Sequence, residues 1–363
     1  MPNNPGCVYQ RADGKWCASL QDNGRRRTVY GKSEREARKK LADLQKQLAT
    51  NGTLPDPGRR TVAELLDAWL QTADLRPKTM AGYRQTLALV LPNLGHLRLA
   101  RLEPVHLQRL YADLGKTSKR NAYRSHLLLH HALKLAVLWG WLPANPAERV
   151  IKPQYRAERK EVWAAEQLRA FLAGTGGHVY GPLWTLAVCT GCRLAELVGL
   201  RWQDVDTASG AVAVKRTLQR VGSQWVESPP KTKAGERTIA LPPEALTALR
   251  RQKALQGAQR LKAGPEWQDL GLVFTSPTGK PLQQTWVQNA MRAECDRLAL
   301  PRLTPHGLRH LHASLLLAEG LPVPAVSARL GHASPAITMA IYAHAMKRQD
   351  TEAAQAIAKA MAR

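Results

Sequence analysis

The decapeptide NGTLPDPGRR, residues 51–60, sets the first limit on how this chain folds. Its two prolines and two glycines interrupt both helix and strand, so the segment reads as a linker. A small unit must close before it and a larger one after it. At 363 residues the chain is also too long for one small core, and two or three domains are expected.

Before the linker, VYQRADGKWCASLQDNGRRRTVYG alternates strand-like segments with turns at Asp13-Gly14 and Asn23-Gly24, strong hairpin signals. KSEREARKKLADLQKQL then predicts a helix, with Ser33 and Glu36 spaced as a capping box. Residues 1–50 are therefore expected to form a three-stranded sheet backed by one helix. They hold 11 Lys and Arg against 5 Asp and Glu. Arg11, Lys15, Arg25, Arg26 and Arg27 fall on strands and turns, where they could face a nucleic-acid groove; a solvated surface is the plainer reading.

After the linker, Thr61 and Glu64 repeat the capping spacing ahead of VAELLDAWLQTA, which has helical periodicity. Helices are expected near 77–91, 104–113 and 117–140, with Pro143 and Pro146 stopping the last. This is a four-helix unit over 61–150. Lys78, Arg84, Lys116, Lys119, Arg120 and Arg124 place cations near its helix starts. Residues 151–162 read as a charged connector. From 163 the pattern is mixed: helices near 164–173, 181–190 and 194–199, a strand pair around 211–241, and helices again from about 285. The fold class is multidomain α+β.

Lys and Arg number 53 against 28 Asp and Glu, a formal net charge of +25 spread along the chain. Such an excess favours a polyanion, nucleic acid above all, through phosphate neutralisation and counterion release. No apolar run is long enough to span a bilayer. The opening MPNNPGCVYQ lacks the pattern of a signal peptide, so a cytoplasmic protein is expected. Five cysteines imply no disulfide framework. CTGC, Cys189 to Cys192, has no second CxxC to complete a zinc site and is better read as two small buried residues at a helix edge.

Four separated stretches carry polar residues that apolar packing does not explain. They are CTGCRLAELVGL with Arg193, PPKTKAGERTIAL with Lys231, TPHGLRHLHAS with His306 and Arg309, and LGHASPAITMAIYAH with His332 and Tyr342. Arg193, in an apolar helix, must find an anion or bear a desolvation cost; Glu196 could pair with it. His306 and Arg309 share one helical face. Lys231 sits in a turn between strands.

Two guanidiniums can cradle the non-bridging oxygens of a phosphodiester and stabilise the charge that builds in its transition state. Imidazoles can orient those oxygens and move protons near neutral pH. An ammonium can protonate a departing oxygen, and a tyrosine hydroxyl can be the nucleophile. That set points to transesterification at a DNA phosphate. A hydrolytic nuclease would more often need a carboxylate cluster with a metal pair, and none is visible in the sequence.

On these motifs, residues 163–350 resemble the catalytic domain of the tyrosine recombinases, the phage-integrase and Xer-like family. TGCRLAEL matches the arginine box, HGLRH the HxxR box, and LGH followed by the tyrosine of IYAH the final box. The resemblance implies that Arg193, His306, Arg309 and His332 activate phosphate and that Tyr342 forms a 3′-phosphotyrosyl link. It also implies that Lys231 is the general acid for the 5′-hydroxyl, with Lys233 in the same turn as the alternative, and that Glu196 orients Arg193. His310 and His312 are given structural roles.

Upstream, residues 61–150 resemble the helical core-binding domain, which closes with the catalytic domain as a C-shaped clamp on DNA. Residues 1–50 resemble the small arm-binding domain of many integrases. Xer-type resolvases usually lack that module, so an integrase of a mobile element is favoured. The implied partners are double-stranded DNA attachment sites, a homotetramer at synapsis and an accessory bending or directionality protein; no membrane is implied. No cofactor and no metal is implied, because the phosphotyrosine conserves the energy of the broken bond. The tail 351–363 is expected to be a helix that docks on its own domain or on a neighbouring protomer. The alternatives are a topoisomerase-like nicking and resealing enzyme, or an inert DNA-binding regulator.

Overall fold

The structure is a computed structural model and describes residues 6–22, 25–51, 60–156, 163–230 and 233–342, with Ala358 and Met361 beyond them. The chain divides into two compact units, 1–157 and 158–363.

In the first unit, β1 (Cys7–Gln10), β2 (Trp16–Asp22) and β3 (Arg25–Gly31) form an antiparallel sheet in that order, followed by α1 (Glu34–Asn51). Gly14 makes the first turn: at φ +80° it takes a conformation that a side chain disfavours, and its N–H donates to Arg11 O at 2.9 Å. The register pairs Asp22 with Arg25; Asn23 and Gly24, where the second turn is expected, lie outside the described residues. One face of the sheet packs Val8, Trp16, Ala18, Leu20 and Val29 against Ala37, Leu41, Leu44 and Leu48 of α1. The helix start differs slightly from the expected capping box. Ser33 Oγ accepts from Glu36 N, but the Glu36 carboxylate reaches back one residue further, to Lys32 N at 2.8 Å.

Four helices complete this unit: α2 (Val62–Thr72), α3 (Pro77–Leu94), α4 (Pro104–Thr117) and α5 (Lys119–Leu138). Trp69, Leu65, Leu66, Val90, Leu107, Leu129 and Leu133 form their buried core. The capping box at Thr61 is complete, with Thr61 N donating to Glu64 Oε2 at 2.7 Å and Glu64 N to Thr61 Oγ1 at 3.3 Å. α4 continues past the expected 113 to Thr117, because Ser118 alone makes the corner, its Oγ accepting from Asn121 N.

The second unit runs α6 (Ala165–Gly174), α7 (Gly181–Thr190), α8 (Leu194–Val198), β4 (Val205–Asp206), β5 (Ala211–Val214), β6 (Thr217–Val221), β7 (Gln224–Ser228) and β8 (Arg237–Ala240). It then continues with α9 (Pro243–Ala263), α10 (Gln284–Arg297), α11 (Pro305–Ala318), α12 (Val323–Leu330) and α13 (Pro335–Tyr342). α7 is apolar around its circumference, and Leu183, Trp184, Leu186 and Ala187 put it at the centre of the core.

Where one strand pair is expected there are two small sheets, β4-β5-β8 and the hairpin β6-β7. The reason is local. Pro229 and Pro230 offer no N–H and end β7. The chain therefore leaves the hairpin, and β8 pairs with β5 instead, Val212 opposite Ile239. Among the described residues, no helix is long and apolar enough to cross a membrane.

The Thr61 box generates a stability prediction. Thr61→Ala should lower stability by about 1 kcal/mol, read as an earlier urea midpoint, with no further loss when Glu64→Ala is added.

Candidate active site

Arg193 is not inside a helix. It stands one residue before α8, with extended backbone (φ −69°, ψ 147°), because the carboxylate of Glu196 caps its backbone N–H at 2.9 Å. The same carboxylate accepts from Arg193 Nη1 at 2.8 Å and from Arg237 Nη2 at 3.0 Å. Its side chain is 1% exposed, that of Arg237 7% and that of Arg193 40%. Burial pushes the Glu196 carboxyl up, but Arg237 and Arg193 outweigh it and hold the group below the usual carboxylate range. Glu196 is thus shared between two cations, and the one it leaves partly open to solvent is Arg193.

Arg237 was not singled out from the sequence. Its Nε donates to Arg329 O at 2.7 Å and its Nη1 to Gly235 O at 2.9 Å. It ties the turn before β8 to both α8 and the end of α12. The available signal was strand alternation, which sets Arg237 on the buried face of β8 with Ile239.

Arg309, on α11, is 3% exposed and bonds two helix ends, Gly191 O and Leu330 O, each at 2.8 Å. Burial, then the charge of Arg193, pull its guanidinium down to about 10, still cationic at neutral pH. Those two bonds use two of its five N–H groups. Gly191, at φ +63°, has no space for a side chain: a Cβ there would meet His312 Cδ2 at 2.6 Å. His312 is buried, with Nδ1 2.6 Å from Val188 O and Nε2 accepting from Arg329 Nε at 3.3 Å. Arg329 also donates to Cys189 O and Ala240 O.

His332 follows α12 through a Schellman closure, with Gly331 N on Ala328 O and His332 N on Ser327 O. Its Nδ1 lies 2.7 Å from Thr338 Oγ1 on α13. Burial, then Arg309, Arg193, His310 and Arg237, push His332 down to about 4. His306, near the start of α11, is exposed and meets the His310 ring edge-on at 4.6 Å between centroids. Tyr342 is the last residue of α13, and its side chain lies outside the described residues. So does Lys231; Lys233 opens a single 3-10 turn, and its side chain is likewise not described. Ala358 and Met361 are helical and exposed, while the rest of the tail, with Ile357, lies outside the described residues. Burial holds the Cys189 and Cys192 thiols at about 11, so both stay protonated.

The basic residues of the first unit sort by register. On β3, Arg26 lies opposite Gln21 and Arg27 opposite Leu20, so the RRR run is split between the sheet's two faces. Arg26 joins the face away from α1, over Tyr9 at 5.8 Å, and Arg11 stands over Tyr30 at 5.9 Å. Lys15 is exposed in the turn, and the Arg25 side chain lies outside the described residues. Lys78 and Arg84 are exposed on α3, Lys119, Arg120 and Arg124 on α5, and Lys116 pairs with Asp113 at 2.7 Å.

Two predictions follow from the buried network. Glu196→Ala leaves Arg237 buried without its counter-charge and should cost about 3–5 kcal/mol, measured by chemical denaturation; Glu196→Gln should cost less. His312 and His332 both sit near 4 in the fold against an ordinary 6.5. The unfolded chain therefore binds protons first on acidification. Their contribution is complete above about 6.5 and lost as pH falls toward 4. The share of His312 is about 3 kcal/mol at roughly 1.4 kcal/mol per unit, and the urea midpoint of His312→Asn should fall less steeply over that range.

Comparison with known proteins follows the same outline. Residues 166–349 match the phage integrase family, and 61–115 match its N-terminal SAM-like domain. A XerC-like tyrosine recombinase of Caldanaerobacter subterraneus is 28% identical, covering 93% of each chain. An integrase of Streptomyces ambofaciens is 30% identical over 86% of this chain and 83% of its own. Among solved structures, the Tn1549 transposon integrase in complex with transposon right end DNA superposes with TM-score 0.70 at 20% identity. It covers 84% of this chain and 100% of that one. A lambda integrase tetramer bound to a Holliday junction gives TM-score 0.59 at 17% identity, over 94% and 96%. The chain belongs to the phage integrase family and is a tyrosine recombinase.

Proposed function

We propose that this protein is the integrase of a mobile element, which cuts and rejoins double-stranded DNA at specific attachment sites through a covalent bond to Tyr342. The observation that carries the reading is the convergence of Arg193, Arg309 and His332 from three separate segments, with the buried Glu196 carboxylate shared between Arg193 and Arg237 and Arg193 partly open to solvent.

The chemistry follows from the donors. Arg193 and Arg309 hold the non-bridging oxygens of the scissile phosphate and stabilise the added negative charge of the transition state. His332, neutral at working pH, orients one of those oxygens with an N–H, and His306 contributes from the exposed end of α11. The Tyr342 hydroxyl gives its proton to solvent as its oxygen attacks phosphorus and the bond to the 5′-oxygen breaks. Lys231 gives its proton to that leaving oxygen, with Lys233 the alternative donor. The product is a 3′-phosphotyrosyl link and a free 5′-hydroxyl. Strand joining is the reverse attack by a 5′-hydroxyl from the partner duplex.

Residues 61–150 serve as the core-binding domain and 163–350 as the catalytic domain. The open sheet face with Arg11, Arg26, Tyr9 and Tyr30 suits the backbone of a second, arm-type site within 1–50. Synapsis requires four protomers, a reading supported by the tetrameric lambda relative, and the tail 351–363 links neighbours. An accessory bending or directionality protein completes the assembly.

Incubation with a nicked suicide substrate carrying the element's junction should give a protein–DNA adduct. Tyr342→Phe should abolish it, and Lys231→Ala should lose it with the natural leaving group but regain it when the 5′-oxygen is replaced by a better one. An adduct that persists in Tyr342→Phe would identify another nucleophile.

A further inference from the structure

Thr338 is fully buried in α13, and its hydroxyl lies 2.7 Å from His332 Nδ1. A buried hydroxyl in a helix commonly bonds back to the carbonyl four residues earlier. Here the bond runs across to a ring on the preceding segment. The backbone on either side is already fixed. Gly331 at φ +68° closes α12, a Cβ there would strike Ala234 O at 2.8 Å, and Ser334 Oγ accepts from Ala336 N at the start of α13. Apolar packing alone would accept valine at 338, which has the same shape, so the hydroxyl needs a separate reason.

The ring supplies one. A neutral imidazole carries one proton, and the hydrogen bond at one nitrogen decides which nitrogen holds it. A phosphate oxygen accepts only from an N–H. If Nδ1 kept the proton and donated it to Thr338, the far nitrogen would present a lone pair to the phosphate and repel it. If Thr338 donates to Nδ1, Nε2 keeps its proton and faces outward as a donor. The charged groups acting on His332 are Arg309, Arg193 and Arg237, which can only donate, and the neutral acceptor among its neighbours is His310; the hydrogen bond at Nδ1 itself is to Thr338. Thr338 also precedes Tyr342 by four residues, one turn before the end of α13.

We propose that Thr338 is a positioning residue: its hydroxyl donates to His332 Nδ1, holds the imidazole proton on Nε2, and ties that ring to the helix that ends in Tyr342. The hydrogen bond then couples two parts of the reaction, so the phosphate-orienting group is correctly protonated only when the nucleophile's helix is docked. This rests on the recombinase reading for its purpose, though the tautomer does not depend on it.

The test uses the full-length protein labelled with ¹⁵N-histidine, in wild type, Thr338→Ser and Thr338→Val. Long-range ¹H–¹⁵N spectra should show His332 protonated on Nε2 in wild type and in Thr338→Ser, and a mixture of tautomers in Thr338→Val. Single-turnover cleavage of the suicide substrate should slow roughly ten- to hundredfold in Thr338→Val, with DNA affinity unchanged, and recover in Thr338→Ser. A wild-type ring protonated on Nδ1 overturns the proposal, even if Thr338→Val fails to fold. So does a folded Thr338→Val that cleaves at the wild-type rate. A wild-type protein that forms no Tyr342 adduct defeats the recombinase reading instead, and the spectrum still decides the tautomer.

Discussion

Glu196 lies out of water between two guanidiniums while also capping the backbone of α8, and the arrangement of the candidate site follows from that placement. A buried carboxylate is costly unless paired, and a buried arginine equally so. Bringing them together offsets both costs, but only if the segments that carry them meet. Arg237 comes from β8 and Arg193 from the turn after α7, so the ion pair joins sheet to helix. It also determines what is left over. Glu196 neutralises one cation's worth of charge among Arg193, Arg237, Arg309 and Arg329, so the cluster keeps a net positive charge.

The other arginines act on helix ends. Arg309 and Arg329 donate to backbone carbonyls at the termini of α7, α8's neighbouring turn, α12 and β8, the positions where orphan acceptors accumulate. Lysine could not do this: a single ammonium cannot reach two carbonyls in a plane as the guanidinium fork does. The two glycines with positive φ at these corners, Gly191 and Gly331, let the backbone come close enough for those bonds, and no side chain fits at either. Charge, helix termini and glycine turns form one structural unit, which holds Arg193, Arg309 and His332.

Much of this was legible beforehand. The hairpin turn at Asp13-Gly14, the Thr61 box and the five helices of the first unit follow from local chemistry, which nearby residues complete by themselves. The order of the arginine, HxxR and LGH segments identified the chemistry because reactive side chains have few substitutes. What failed was non-local or depended on one residue. Arg193 was read as helical because leucines surround it, whereas a carboxylate three residues on holds it outside the helix. The second sheet was missed because the strand that pairs with β5 is separated from it by a whole hairpin. Arg27 was grouped with Arg26, although strand alternation divides them.

The sequence by itself determined the helical periodicities, the large positive charge and the identities of the groups proposed to attack or activate a phosphate. Only the tertiary structure decided that Glu196 would serve two arginines, that Arg237 and Thr338 would join the site, and that Arg309 would point inward while His306 stays exposed. The physical reason is that periodicity and capping are satisfied within a few residues. A buried charge or hydroxyl, by contrast, takes its partner from whichever distant segment packing delivers, and no local pattern encodes that choice.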